Sequence, residues 1–324
     1  MHRLIWVLVT LELIAGAASA TEPVATFSIV AFDSVTGDLG VAVQSKFFAV
    51  GAVVPWARAG VGAIASQAYG NPAYGPRGLD LLTSGLVVKE VIDELLSGDP
   101  QREQRQLGIV DGMGRSAAFT GAECLAWAGH RAGKGFSVQG NILVSEATVA
   151  VMAEAFSSTD DLLGERLMRA LEAGQQAGGD SRGMQSAAML IVRKAGGYGG
   201  YNDRYCDLRV DDHENPIAEL RRIFDIWKVQ ALITEGYVRA EAGDTEGAIS
   251  LGHRAVMADS VSGEPHYHVA CYFSKAGRRE EALGSLAQAI RRDSTLARRA
   301  PEDPDFAPLR ADPRFIAMTS LPKP

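Results

Sequence analysis

The sequence predicts an α+β protein: a four-layer αββα sandwich of two antiparallel sheets, followed by a small all-α domain. Three observations carry this. Strand-like stretches come as hairpins rather than singly. Pairs of amphipathic helices alternate with those hairpin blocks. From Trp227 onward only helical patterns occur, with a spacing of 34 residues between equivalent positions. A doubly wound sheet would alternate single strands with single helices, whereas hairpin blocks separated by helix pairs suit two stacked sheets with helices on both outer faces.

The first block opens with TFSIVAFD (26–33) and GDLGVAVQS (37–45), β-rich runs joined by a turn containing Thr36 and Gly37. Two such runs around a short Gly-bearing turn read as a hairpin. GVGAIASQ (60–67) is a third strand, and its small residues allow close approach of another backbone or a substrate. NPAYGPRG (71–78) then carries turn and helix-start chemistry, and Leu82, Val88, Val91, Ile92, Leu95 and Leu96 form a helical apolar stripe. Ser84-Gly85 divides that region into two helices, and SGDP (97–100) ends the second.

RQLGIVD (105–111) and RSAAFTG (115–121) form another hairpin, and FSVQGNIL (136–143) is one more strand. Ser145 and Glu146 start a helix with an imperfect capping box, and a second helix runs from about Asp160 to Gly178-Gly179. QSAAMLIVRK (185–194) is a buried strand, RYCDLRVDD (204–212) continues the sheet, and Pro216 opens a helix through Trp227. The glycine-rich AGGYGGYN (195–202) lacks the spacing of a phosphate loop and reads as a hairpin tip.

AEAGDTEGAISLGHRAVMAD (240–259) aligns with SKAGRREEALGSLAQAIRRD (274–293), with Ala242/Ala276, Gly243/Gly277, Ala248/Ala282, Ala255/Ala289 and Asp259/Asp293 each 34 apart. That is the tetratricopeptide period, with small residues where paired helices touch. Two repeats cannot bury their whole apolar face, so they are expected to dock on the N-terminal domain or to self-associate. The expected organisation is a signal peptide (1–20), the αββα domain (26–226), the helical repeats (228–296) and a proline-rich tail (297–324) that wraps the last helix.

Composition narrows the function. The net charge of −7 comes without a basic stripe, which argues against nucleic acid as a partner. The three cysteines, Cys124, Cys206 and Cys271, form no disulfide framework, and no metal-binding cluster is apparent; no cofactor is expected. The opening MHRLIWVLVTLELIAGAASA has Arg3, an apolar run and Ala18-Ser19-Ala20, the pattern of a secretory leader, so a periplasmic or secreted protein without a membrane span is expected.

The run from TFSIVAFDSVTGDLGVAVQSKF through GVGAIASQAYGNPAYGPRGLDLL, with FSVQGNIL and GGDSRGMQSAAMLIV later, strongly resembles the domain-of-unknown-function 1028 family over about residues 26–226. That family is grouped with the N-terminal nucleophile hydrolases, which implies the αββα sandwich reached above from element order. It also implies a mechanism: the first residue of the mature chain attacks an amide carbonyl, its own α-amine serving as base.

On this resemblance Thr26 is the nucleophile; the alternative is an ordinary edge-strand threonine. Cleavage after Ala20 would leave Thr21 first, so Thr26 requires a further cut at Ala25-Thr26. Lys46, at the end of the return strand, is the activating charge or else a solvated strand-end lysine. Ser45 beside it is placed to bond the amine. Gln67 and Asn71 flank a strand-to-helix turn and bind the substrate carbonyl, or serve as caps and turn formers. Asp180 orients nucleophile and amine, or pairs with Arg182. Gln139 and Asn141 line the cleft or satisfy a buried network. Cys124 is a nucleophile in principle, but no histidine stands at a telling position.

Two functions compete at this stage. The first is an exported amidohydrolase acting on a small amide or peptide. The second is a non-catalytic scaffold that recruits a protein partner, cell-wall material or another copy of itself through the repeats.

Overall fold

Period-2 alternation decides the central strands. A computed structural model of the chain describes residues 26–320; the expected leader, Thr21 and residues 321–324 lie outside that range. β1 (Thr26–Phe32) and β2 (Leu39–Ser45) form an antiparallel hairpin from Thr26↔Ser45 to Phe32↔Leu39. Asp33 shapes its turn, Oδ1 accepting the Val35 N–H at 2.8 Å. Phe27, Ile29 and Ala31 join a core with helical residues, whereas Val30, Val41 and Val43 join one with the second sheet.

The six-stranded sheet has the order β10-β9-β2-β1-β8-β7, with β7 (Gly129–Gly133), β8 (Phe136–Asn141), β9 (Ser186–Val192) and β10 (Arg204–Val210). The four-stranded sheet runs β3-β4-β5-β6, with β3 (Pro55–Arg58), β4 (Gly62–Ala68), β5 (Arg105–Asp111) and β6 (Ser116–Thr120). Every pairing among these strands is antiparallel. The glycine-rich 195–202 falls in the connection between β9 and β10.

α1 (Tyr74–Thr83) and α2 (Val88–Leu96) share a core with Ile64, Leu107 and Ile109 of the smaller sheet. α3 (Ala147–Ser157) and α4 (Leu163–Gln176) share one with Phe27, Ile29, Val138 and Met189 of the larger sheet. The capping box expected at the start of α3 is not made; Ser145 Oγ accepts the Ala147 N–H at 3.3 Å instead.

Helices alone follow. α5 (Pro216–Glu241) is capped by the Asn215 side chain, which accepts the Ala218 N–H at 3.3 Å. It does not stop at Trp227 as the sequence suggests. No Gly or Pro interrupts 217–235, and Trp227 packs on Phe224 and Tyr205 as a continuation of the helix face. α6 (Thr245–Ala258), α7 (Glu264–Lys275) and α8 (Arg279–Arg292) come next. Residues 34 apart do the same work here. Ala248 and Ala282 are buried, as are Ala255 and Ala289, while Gly243 and Gly277 both take positive φ after a helix end. The proline-rich stretch folds as α9 (Leu296–Arg299), a 3-10 helix (Pro304–Leu309) and α10 (Pro313–Thr319). It docks on α7 as well as α8: Phe306 meets the Tyr267 ring, and Arg314 pairs with Glu280 at 2.8 Å.

Candidate functional site

Directly opposed residues of an antiparallel sheet project to the same face. The registers Asn141↔Thr26, Thr26↔Ser45 and Ser45↔Ser186 therefore place four polar side chains in one row across β8, β1, β2 and β9. All four are at most 1% exposed. The Thr26 hydroxyl donates to Ser45 Oγ at 3.1 Å. Ser186 Oγ donates to the Phe47 carbonyl at 2.5 Å and accepts the Val50 N–H at 3.1 Å, which fixes the turn that follows β2.

Beneath the row lies a buried amide network joining the two sheets. Ser28 donates to Gln67 Oε1 at 2.5 Å and accepts from Gln139 Nε2 at 2.6 Å. Ser137 donates to Gln139 Oε1 at 3.0 Å. Gln67 Nε2 donates to Gln106 Oε1 at 2.8 Å and to the Thr26 carbonyl at 3.3 Å. Asn141 Nδ2 also donates to Gln106 Oε1, at 3.0 Å. Gln106 Nε2 serves the Gly140 carbonyl at 2.8 Å and Thr120 Oγ1 at 2.9 Å, and Thr120 Oγ1 in turn stands 2.9 Å from His130 Nδ1 near the surface. Burial depresses the His130 imidazole. Buried amides need such partners, because a desolvated group left unpaired is destabilising.

Asp180 sits at the rim. It is buried, its backbone bridges Leu143, and its carboxylate accepts the Lys46 N–H at 3.0 Å and the Arg182 N–H at 2.9 Å. Arg182 also pairs with it through the guanidinium at 3.2 Å. Lys46 is exposed, and its ammonium donates to the Met184 carbonyl at 3.2 Å. Asn71 lies just ahead of α1, where its Oδ1 accepts the Ala73 N–H at 3.1 Å and its N–H meets Ser66 Oγ at 3.2 Å. The fold thus brings Thr26, Ser45, Gln67, Gln139 and Asn141 into one buried system with Asp180 at its edge. Gln67 spends its Nε2 inside that system, and Asn71 caps a turn.

Sequence reasoning missed Ser28, Gln106, Ser137 and Ser186. For Ser28 and Ser137 the signal was present, since Thr26-x-Ser28 and Ser137-x-Gln139-x-Asn141 put polar residues at every second position of otherwise apolar strands and so on one face of a sheet; around Gln106 and Ser186 no such alternation occurs. Cys124 donates to the Arg105 carbonyl at 3.3 Å, and burial pushes its thiol up to about 11, away from thiolate chemistry. Among the described residues, the trio with metal-ligand spacing is Cys271, Asp303 and Asp305 in the C-terminal helices, remote in sequence from this row. A cavity of about 180 Å³ between Asp33, Arg193, Tyr205, Leu232 and Arg254 includes no residue of the row.

A mixed α/β protein with two antiparallel sheets, a buried polar row at the start of β1 and a helical C-terminal region is the class these features define. Residues 26–220 match the family described as "Family of unknown function (DUF1028)", and the chain belongs to that family. The crystal structure of the DUF1028 protein SPO2555 from Silicibacter pomeroyi is similar at 32% identity and a TM-score of 0.56, over 62% of this chain and 88% of that one. No curated protein matches.

Proposed function

We propose that the chain is an exported amide hydrolase of the N-terminal nucleophile type, with Thr26 as nucleophile in a four-layer αββα sandwich and tetratricopeptide-like repeats behind it. The observation that carries the reading is the Thr26 hydroxyl, 3.1 Å from Ser45 Oγ in a buried row at the first residue of the family match. A cut before Thr26 gives it a free α-amine. An α-amine titrates near neutrality, so it accepts the hydroxyl proton as Oγ1 attacks a small amide or peptide carbonyl. Asp180 holds the Lys46 backbone and so the end of β2 beside Thr26.

Mass spectrometry of the exported chain tests this. The expected first residue is Thr26, with an electrophilic acyl probe bound to it and labelling lost in Thr26→Ala. A chain that persists from Thr21 with labelling unchanged in Thr26→Ala overturns it. A second reading, a binding protein that recruits a partner or another copy through its repeats, is favoured by one observation: the Lys46 ammonium is engaged by the Met184 carbonyl.

A further inference from the structure

The amide network has one fixed sense, and it leaves one acceptor over. Main-chain carbonyls only accept, so the Gln106 atom bonded to the carbonyls of Gly140 (2.8 Å) and Gly129 (3.2 Å) is the NH₂ nitrogen. Gln106 therefore turns Oε1 toward Asn141, and Asn141 must answer with Nδ2, as it does at 3.0 Å. Its other atom, Oδ1, is then a carbonyl oxygen, fully enclosed and without a hydrogen-bond donor. Asn141 cannot flip to cure this without setting oxygen against oxygen at Gln106.

The position of that oxygen is informative. Asn141 is directly opposite Thr26, on the same face of the sheet. In an antiparallel pair the N–H groups of alternate residues point to the same neighbouring strand. Phe32 N donates toward β8, to the Gly135 carbonyl at 2.8 Å. Thr26, six residues earlier on the same strand, thus also turns its nitrogen toward β8 and Asn141.

We infer that Asn141 Oδ1 is a positioning residue for the Thr26 α-amine, accepting one of its N–H bonds once the chain has been cut. The inference rests on the nucleophile reading above. Hydrolysis of the Ala25–Thr26 bond consumes one water and gives the Ala25 carboxylate and a Thr26 ammonium. A peptide nitrogen has one hydrogen, which the strand pairing uses. An ammonium has three, and an orphaned acceptor across the pair takes one of the new ones. Because the amine donates a hydrogen to Asn141, its lone pair, once neutral, does not point there.

Hydrogen bonding to the charged form raises an amine's pKa, and removal of the acceptor lowers it. The test uses the chain from Thr26 to Pro324, released from a fusion partner so that Thr26 is first. Its α-amine is titrated by competitive labelling with isotopic acetic anhydride, read on the N-terminal peptide. Asn141→Leu is expected to lower the amine pKa by about one unit, and Asn141→Asp to raise it by about one unit. An amine unmoved in Asn141→Leu overturns the inference whatever the Asp variant does, because a new carboxylate opposite Thr26 raises a nearby amine even where the native side chain accepts nothing from it. Asn141→Ala, which also removes the acceptor and sets no oxygen against Gln106 Oε1, carries the test alone if the Leu variant does not fold: a lowered amine supports the inference and an unmoved one overturns it. Absence of a Thr26 acyl adduct with both opposite shifts intact would sink the nucleophile reading while leaving the Asn141 contact standing.

Discussion

Asp180 and Lys46 stand 134 residues apart in sequence, yet the Asp180 carboxylate accepts the Lys46 main-chain N–H at 3.0 Å. The same carboxylate takes the Arg182 N–H, while its backbone bridges Leu143, two residues beyond Asn141. Asp180 therefore ties the end of β2, the end of β8 and the approach to β9 into one rim around Thr26. Hydrogen bonds to a buried charge are worth about 1.5–3 kcal/mol each. Asp180→Ala should cost about 3 kcal/mol in urea unfolding and abolish acyl labelling of Thr26. Asp180→Asn keeps an acceptor for Lys46 and should cost less. Equal losses in the two variants would mean that the charge, not the tie to Lys46, is what matters.

Gly108 and Gln139 meet across the two sheets. A Cβ on Gly108 would fall 2.0 Å from Gln139 Oε1. A glutamine tip normally swings aside, but this one is held by Ser28 at 2.6 Å and Ser137 at 3.0 Å. Gly108→Ala should therefore destabilise by about 1–3 kcal/mol, the usual size for overpacking. Contacting residues are non-additive, so Gly108→Ala should be milder on a Gln139→Ala background. A double-mutant cycle in urea checks this, and strict additivity would remove Gln139 as the obstacle.

Glu165 on α4 joins α4 to α5 through Arg221 at 3.0 Å and Lys228 at 2.8 Å. Burial pushes its carboxyl up, but the hydrogen bonds from Arg221 and Lys228 outweigh burial and bring it down to about 2. The unfolded value is about 4.3. A folded pKa below the unfolded one gives stability that is complete above the unfolded value and lost as pH falls through the folded one. The stability difference between the unmodified chain and Glu165→Gln should be about 3 kcal/mol at pH 7 and shrink between about pH 5 and pH 2. Urea midpoints at several pH values measure it. A difference constant down to pH 2 contradicts the assignment.

Much of the fold is legible because period 2 and period 3.6 leave different marks. TFSIVAF and SAAMLIV announce strands by themselves, and Ser84-Gly85 announces the break between α1 and α2. Two strands escape. β3 is four residues beginning at a proline, and GHRAG of β7 has no apolar alternation because it is an edge strand. At the site, Thr26, Ser45, Gln139 and Asn141 are legible from pattern and resemblance. Gln106 is not, since its role depends on which strand of the other sheet lies opposite. That is tertiary information, and the 134-residue span from Lys46 to Asp180 is of the same kind.

The two helix ends at Gly243 and Gly277 test whether the 34-residue spacing is structural equivalence or coincidence. Their φ values are +85° and +70°, and an added Cβ would meet nothing within 4 Å at either. Space is therefore not the issue; left-handed backbone is, at about 1–2 kcal/mol for a residue with a Cβ. Gly284 provides the contrast. It lies exposed inside α8, also with nothing near its would-be Cβ, and its φ is ordinary. There alanine removes chain entropy and improves helix propensity, so Gly284→Ala should stabilise by about 0.5–1 kcal/mol. Gly243→Ala and Gly277→Ala should each destabilise by about 1–2 kcal/mol. Three chemically identical substitutions thus have opposite expected signs set by φ alone. Urea unfolding of the full chain, followed by far-ultraviolet circular dichroism, reads all three, and a stabilising effect at Gly243 or Gly277 would refute the shared helix-end geometry.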